Sequence, residues 1–110
     1  MTAEVRNAIF RSIATWRREG GVTLKSGKPV SYKTGYQVAT DGVVVDARNE
    51  ARIYNEILRM GGDCGLWFSE GKCYIDRSHR VNTKREAIEE GRAHNQLSVL
   101  KWATMECVAC

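Results

Sequence analysis

The chain has 110 residues, 43% of them apolar and 27% charged, with a formal net charge of +4. That length suits one domain, since two would each be too small to bury a useful core without staples. No stretch approaches the ~20 apolar residues of a membrane span, and Glu4, Arg6, Arg11, Arg17 and Arg18 break up the first residues where an export signal would be apolar.

Apolar residues at Val5, Ala8, Ile9, Ile13 and Trp16 recur every three or four positions, which predicts a helix from Ala3 to Arg18, ended by Gly20 and Gly21. Val22 to Leu24 and Val30 to Tyr32 flank Ser26, Gly27, Lys28 and Pro29, the pattern of a short hairpin or ordered loop with Lys25 and Lys28 at its tip. Tyr36, Val38 and Thr40 alternate with Gln37 and Ala39, and the run Val43 to Val45 follows Asp41 and Gly42. One bent strand or two short ones is expected there. Asp46 is placed to cap a second helix reaching Met60, with Ala47, Ala51, Tyr54, Ile57 and Leu58 towards the core and Gly61 and Gly62 closing it.

Leu66 to Phe68 and Cys73 to Ile75 flank Ser69, Glu70, Gly71 and Lys72, a hairpin signal. Thr83, Lys84, Arg85 and Glu86 form a capping box, so a third helix starts at Lys84 and runs to about Asn95. Ala87, Ile88, Gly91 and His94 share one of its faces, and Arg85 and Glu89 form an i, i+4 pair on the solvated one. Strands are expected at Ser98 to Trp102 and at Glu106 to Val108.

From Tyr36 onward the order is strand, helix, strand, strand, helix, strand, the split βαβ order of a ferredoxin-like sandwich. The expected fold is therefore α+β, an antiparallel sheet with helices on one face, in a single domain over 1–110. A ferredoxin-like βαββαβ core would occupy 34–104, preceded by a basic helix and hairpin extension over 1–33.

Residues 1–33 hold seven bases against two acids, a local +5, whereas the remainder nets −1. Such an asymmetry points to an anionic partner: nucleic acid, a nucleoprotein, or an acidic protein surface. Arg11, Arg17, Arg18, Lys25, Lys28 and Lys33 are the residues expected to make that contact.

The cysteines carry the sharpest chemical alternative. Cys107 and Cys110 form a C-x-x-C pair, and Cys64 and Cys73 flank one hairpin, so four thiolates would make a zinc-stabilised module. Against it, Cys64 and Cys73 are spaced more widely than a zinc knuckle and a pair at the last residue is prone to fray; a redox role for Cys107 and Cys110 is disfavoured because no helix follows to lower a thiol pKa. Free thiols in the cytoplasm and no cofactor are the expectation.

His79 and His94 could each serve as a general base within reach of a carboxylate, although a lone histidine beside arginines is more often a surface or contact residue, and Ser78 and Ser98 lack both an elbow motif and a paired acid in suitable context. Gly21 to Lys28 has the wrong spacing for a phosphate loop, with Pro29 where the hydroxyl belongs. The chain reads as non-enzymatic. An RNA-binding sheet of the RRM kind is weakly matched, since the two central strands offer only Tyr36 and Tyr74, and Trp16, Trp67 and Trp102 read as core or interface anchors.

Between Gly65 and Trp102, the segments Gly65-Leu66-Trp67, Gly71-Lys72, Tyr74-Ile75-Asp76 and His94-Asn95-Gln96 resemble small proteins carried by bacterial phages and mobile elements. In size and in lacking catalytic machinery, the chain also resembles the anti-CRISPR proteins that such elements encode. The resemblance implies a cytoplasmic inhibitor, acting in the bacterial host, that binds a defence nuclease such as a Cas effector complex, or its RNA or DNA, and blocks DNA engagement or cleavage. The alternatives are a basic nucleic-acid-binding accessory protein and the zinc-stabilised interaction module.

Overall fold

A computed structural model describes all 110 residues. Helix α1 (Ala3–Glu19) starts where the Thr2 hydroxyl accepts the Val5 amide, and it ends at Gly20, whose φ of 95° only glycine adopts without strain. Strands β1 (Gly21–Lys25) and β2 (Lys28–Pro29) form the first hairpin. β3 (Tyr36–Asp46) is one continuous strand, bulged between Ala39 and Asp41.

Helix α2 (Glu50–Arg59) begins later than the sequence suggested. β3 runs on through Asp46, whose carboxylate accepts the Arg48 amide in the turn, and Asn49 becomes the cap. The expected helix face shifts accordingly: Ile53 and Ile57 are buried and Ala51 is exposed. β4 (Cys64–Ser69) and β5 (Lys72–Val81) form the second hairpin, and α3 (Lys84–Ala93) opens on the Thr83 and Glu86 capping box. β6 (Ser98–Lys101) and β7 (Glu106–Ala109) close the chain.

The architecture is α+β: three helices and one seven-stranded antiparallel sheet in the order β2-β1-β4-β5-β3-β6-β7. That is three strands more than the expected four-stranded core. The N-terminal hairpin joins the same sheet, because β1 pairs with β4 from Gly21 opposite Trp67 to Leu24 opposite Cys64.

All three helices cover one face. Along β5 alternate residues share a face. Cys73 and Ile75 lie in the large cluster with Ile9, Ile13 and Trp16 of α1 and Ile53 and Ile57 of α2. Val81 packs beside Ala87 of α3, Val38 and Val99 in a second, smaller cluster. Burying one such aliphatic side chain contributes about 1.5–3 kcal/mol, so most of the driving force sits beneath α1 and α2. No helix is long and apolar enough to cross a membrane.

Candidate partner-binding surface

No helix covers the other face of the sheet. The strand registers place Val44 opposite Tyr74 and Tyr74 opposite Trp67, one row across β3, β5 and β4. Their exposures are 51%, 37% and 63%, so the middle of this face presents a contiguous apolar and aromatic ridge. Such patches on a folded protein mark contact sites. Of the three tryptophans expected as core or interface anchors, Trp16 and Trp102 are buried, and Trp67 stands in solvent. The run Leu66, Trp67, Phe68 is apolar at every position, which hid from the sequence which face each residue takes. Tyr36 packs on the covered side against the smaller cluster and contributes nothing to the ridge.

Two rows border the ridge. On one side Asp46 lies opposite Lys72, which lies opposite Ser69. On the other, Asp76 lies between Gly42 and Gly65. A Cβ at Gly42 would collide with the Asp76 carboxylate, so that carboxylate leans across the glycine. A Cβ at Gly65 would meet nothing nearer than the Ser78 hydroxyl at 3.8 Å, so open space lies on that side. Asp76 has no ion-pair partner. Burial first, and the charge of Asp41 second, push its carboxyl above the usual range.

Further along this face the segment after β2 folds over the sheet. Tyr32 meets Trp102 edge-on at 5.4 Å between ring centres, and the Arg80 guanidinium stacks over Tyr32 while its nitrogens donate to Thr34 and Asn82. The Trp102 indole donates to Gln37, whose amide donates to the Ser78 hydroxyl. A cleft of about 280 Å³ lies here, lined by Lys25, Tyr32, Asp63 and Arg80 among others. Every nitrogen of Arg80 is committed to the protein, which leaves Lys25 as its one uncommitted cation.

The six basic residues picked out by charge do not converge. Arg11 and Arg18 project from α1 opposite Ile9, Ile13 and Trp16, away from the sheet. Arg17 donates to the Ala47 carbonyl at 3.0 Å and approaches Glu50 at 4.0 Å, joining α1 to the start of α2. Lys25 alternates with buried Leu24 and lies on the uncovered face. Lys28 sits in the edge strand beside Glu4, Ala8 and Ser12 of α1, and Lys33 is exposed in the following segment.

The four cysteines do not converge either. Cys64 and Cys73 are buried in the large cluster, Cys107 is exposed on β7, and Cys110 packs by the smaller cluster, where it closes on Gly91. Burial pushes the Cys64 and Cys73 thiols up to about 12, and Asp63 adds to the rise at Cys64. They are hydrophobic fillers at neutral pH. No group of three or more His, Cys, Asp or Glu side chains is placed to hold a metal ion, so the four-thiolate site is not assembled. His79 is spent on Glu90 of α3 at 2.7 Å, and His94 caps the same helix.

No family model matches the chain, and neither a curated protein nor a solved structure matches it.

Proposed function

We propose that the protein is a non-enzymatic inhibitor that binds a host RNA-guided nuclease complex through the uncovered sheet face, in the manner of an anti-CRISPR protein, and blocks DNA engagement or cleavage. The observation that carries a binding role is the Val44, Tyr74 and Trp67 ridge, three large side chains left in solvent at the centre of an otherwise ordered face. Tryptophan and tyrosine are the residues that most often dominate contact energies. The nuclease as target rests on the likeness, in size, compactness and lack of catalytic machinery, to the anti-CRISPR proteins of phages and mobile elements, a likeness that assigns no residues.

The face itself favours a protein surface over nucleic acid. Asp46 and Asp76 border the ridge on opposite sides, with Lys72 the one cation in the bordering rows of β3, β5 and β4, and a polyanion is disfavoured by such a frame. The reading of a basic nucleic-acid-binding accessory protein is favoured by a different surface, the outward Arg11 and Arg18 of α1 and the net charge of +4.

We also infer that β3, α2, β4, β5, α3 and β6 descend to a ferredoxin-like βαββαβ core. Supporting this, those four strands stand in the order β6-β3-β5-β4 with antiparallel neighbours. α1, β1 and β2 would extend that core at one edge and β7 at the other.

A co-purification experiment tests the function. The tagged protein should retain a Cas nuclease complex, and Trp67→Ala with Tyr74→Ala should lose it while remaining folded. Retention of bare nucleic acid, lost on charge reversal at Arg11 and Arg18, would favour the accessory reading instead.

A further inference from the structure

The row beside the ridge has a composition that the packing of the sheet does not require. Asp76 stands between two glycines, on a strand whose neighbouring rows carry full side chains. Gly42 is needed for the carboxylate to lie down, whereas Gly65 fills no packing need, because a side chain there would project into solvent. The result is a low row, a shallow trough bordered on one side by Tyr74 and Trp67, with a half-buried carboxylate in it.

The other carboxylate on this face is differently placed. Asp46 is exposed, lies opposite Lys72 in the strand register and accepts the Arg48 amide. Asp76 makes no hydrogen bond or ion pair. Arg77, its neighbour in sequence, points to the covered face, where it donates to the Met60 carbonyl and pairs with Asp41 at 3.3 Å.

A desolvated carboxylate without a counter-charge, next to exposed aromatic rings, is one half of a cation site. Resting on the reading of this face as the partner surface, we propose that the Asp76 trough receives an arginine side chain of the partner protein, its guanidinium lying against Trp67 or Tyr74 and donating to the Asp76 carboxylate. Arginine suits this better than lysine, because a planar guanidinium stacks on a ring and reaches a carboxylate with two parallel donors at once. Two residues apart on one strand face, Tyr74 and Asp76 have backbone positions about 7 Å from each other, a separation that one arginine side chain spans.

The test uses Trp67 as its own reporter, since Trp16 and Trp102 are buried. A hexa-arginine peptide titrated into the intact protein should quench Trp67 fluorescence. Hexalysine should bind several-fold more weakly, and a hexacitrulline peptide, of similar shape without charge, should not bind. Asp76→Asn should weaken hexa-arginine binding by about tenfold or more. Gly65→Val, which fills the trough from the β4 side without touching the core, should do the same.

An oligothymidylate is the discriminating control. If the face takes nucleic acid, Asp76→Asn removes a repulsive charge and tightens oligonucleotide binding, and that outcome overturns the proposal. Equal binding of hexa-arginine by wild type and Asp76→Asn overturns it too. In co-purification with the nuclease, loss with Trp67→Ala but not with Asp76→Asn would refute the arginine site and spare the binding face. Retention by both variants would refute the binding face itself.

Discussion

On the covered face of the sheet Val45, Ile75 and Leu66 sink beneath α1 and α2, while one position along each of the same strands Val44, Tyr74 and Trp67 stand in solvent. The two faces share every backbone hydrogen bond, so the difference between them lies wholly in side chains and in what lies above them. The covered face should therefore answer for stability and the uncovered one for recognition, and substitutions on either side can separate the two roles.

The largest effect is expected deep under α2. Ile57→Ala opens a cavity in a fully buried site and should destabilise the fold by about 2–5 kcal/mol in urea denaturation. A milder value would mean that the cluster beneath α1 and α2 collapses around the gap. Gly27→Ala comes next, at about 1–3 kcal/mol. Gly27 has φ of 81°, and a Cβ there would press to 2.8 Å from Val5 and 3.0 Å from Ile9. That result would establish the first hairpin as part of the packed side, although its sequence reads as an appendage.

Across the sheet, Trp67→Ala and Tyr74→Ala should each change stability by no more than about 1 kcal/mol, the scale of a cross-strand pair. A larger loss would break the division between the faces. The smallest effect concerns Asp76. Its folded carboxyl is raised above the unfolded value, so its contribution to stability is fully present below the unfolded value and is lost as pH rises through the folded one. Asp76→Asn cannot ionise. It should be more stable than wild type near neutral pH, and the advantage should vanish on acidification below the ordinary carboxyl range.

Much of the fold was legible in the residues themselves. The Thr83 and Glu86 capping box located α3, and the spacing of Ile9, Ile13 and Trp16 located the buried stripe of α1. Local signals failed where two competed: the β-branched run Val43 to Val45 carried β3 through Asp46, displacing the α2 cap to Asn49. β5 runs to Val81 through Asp76, Arg77, His79 and Arg80, residues that disguise a strand because two of them, Arg77 and His79, face the covered side paired with Asp41 and Glu90.

The candidate surface was less legible than the fold. Base excess in residues 1–33 singled out six side chains that the structure distributes over α1, a helix junction, a cleft, a sheet edge and the segment after β2. Net charge along a chain carries no information about which residues share a face. The ridge arises from pairings among β3, β4 and β5, and Val44 lies opposite Tyr74 across an intervening helix and strand. Only the period-two alternation of Leu66, Trp67 and Phe68, once one of them is known to be buried, would have pointed to Trp67.

On the reading proposed above, the uncovered face recognises a partner without helping to hold the fold. The most direct test of that reading measures the inhibition of plasmid interference in cells carrying an RNA-guided nuclease, comparing wild type with the Trp67→Ala, Tyr74→Ala double variant. The variant should lose inhibition while its denaturation midpoint stays close to that of wild type. Full inhibition by a variant stripped of the ridge would contradict it.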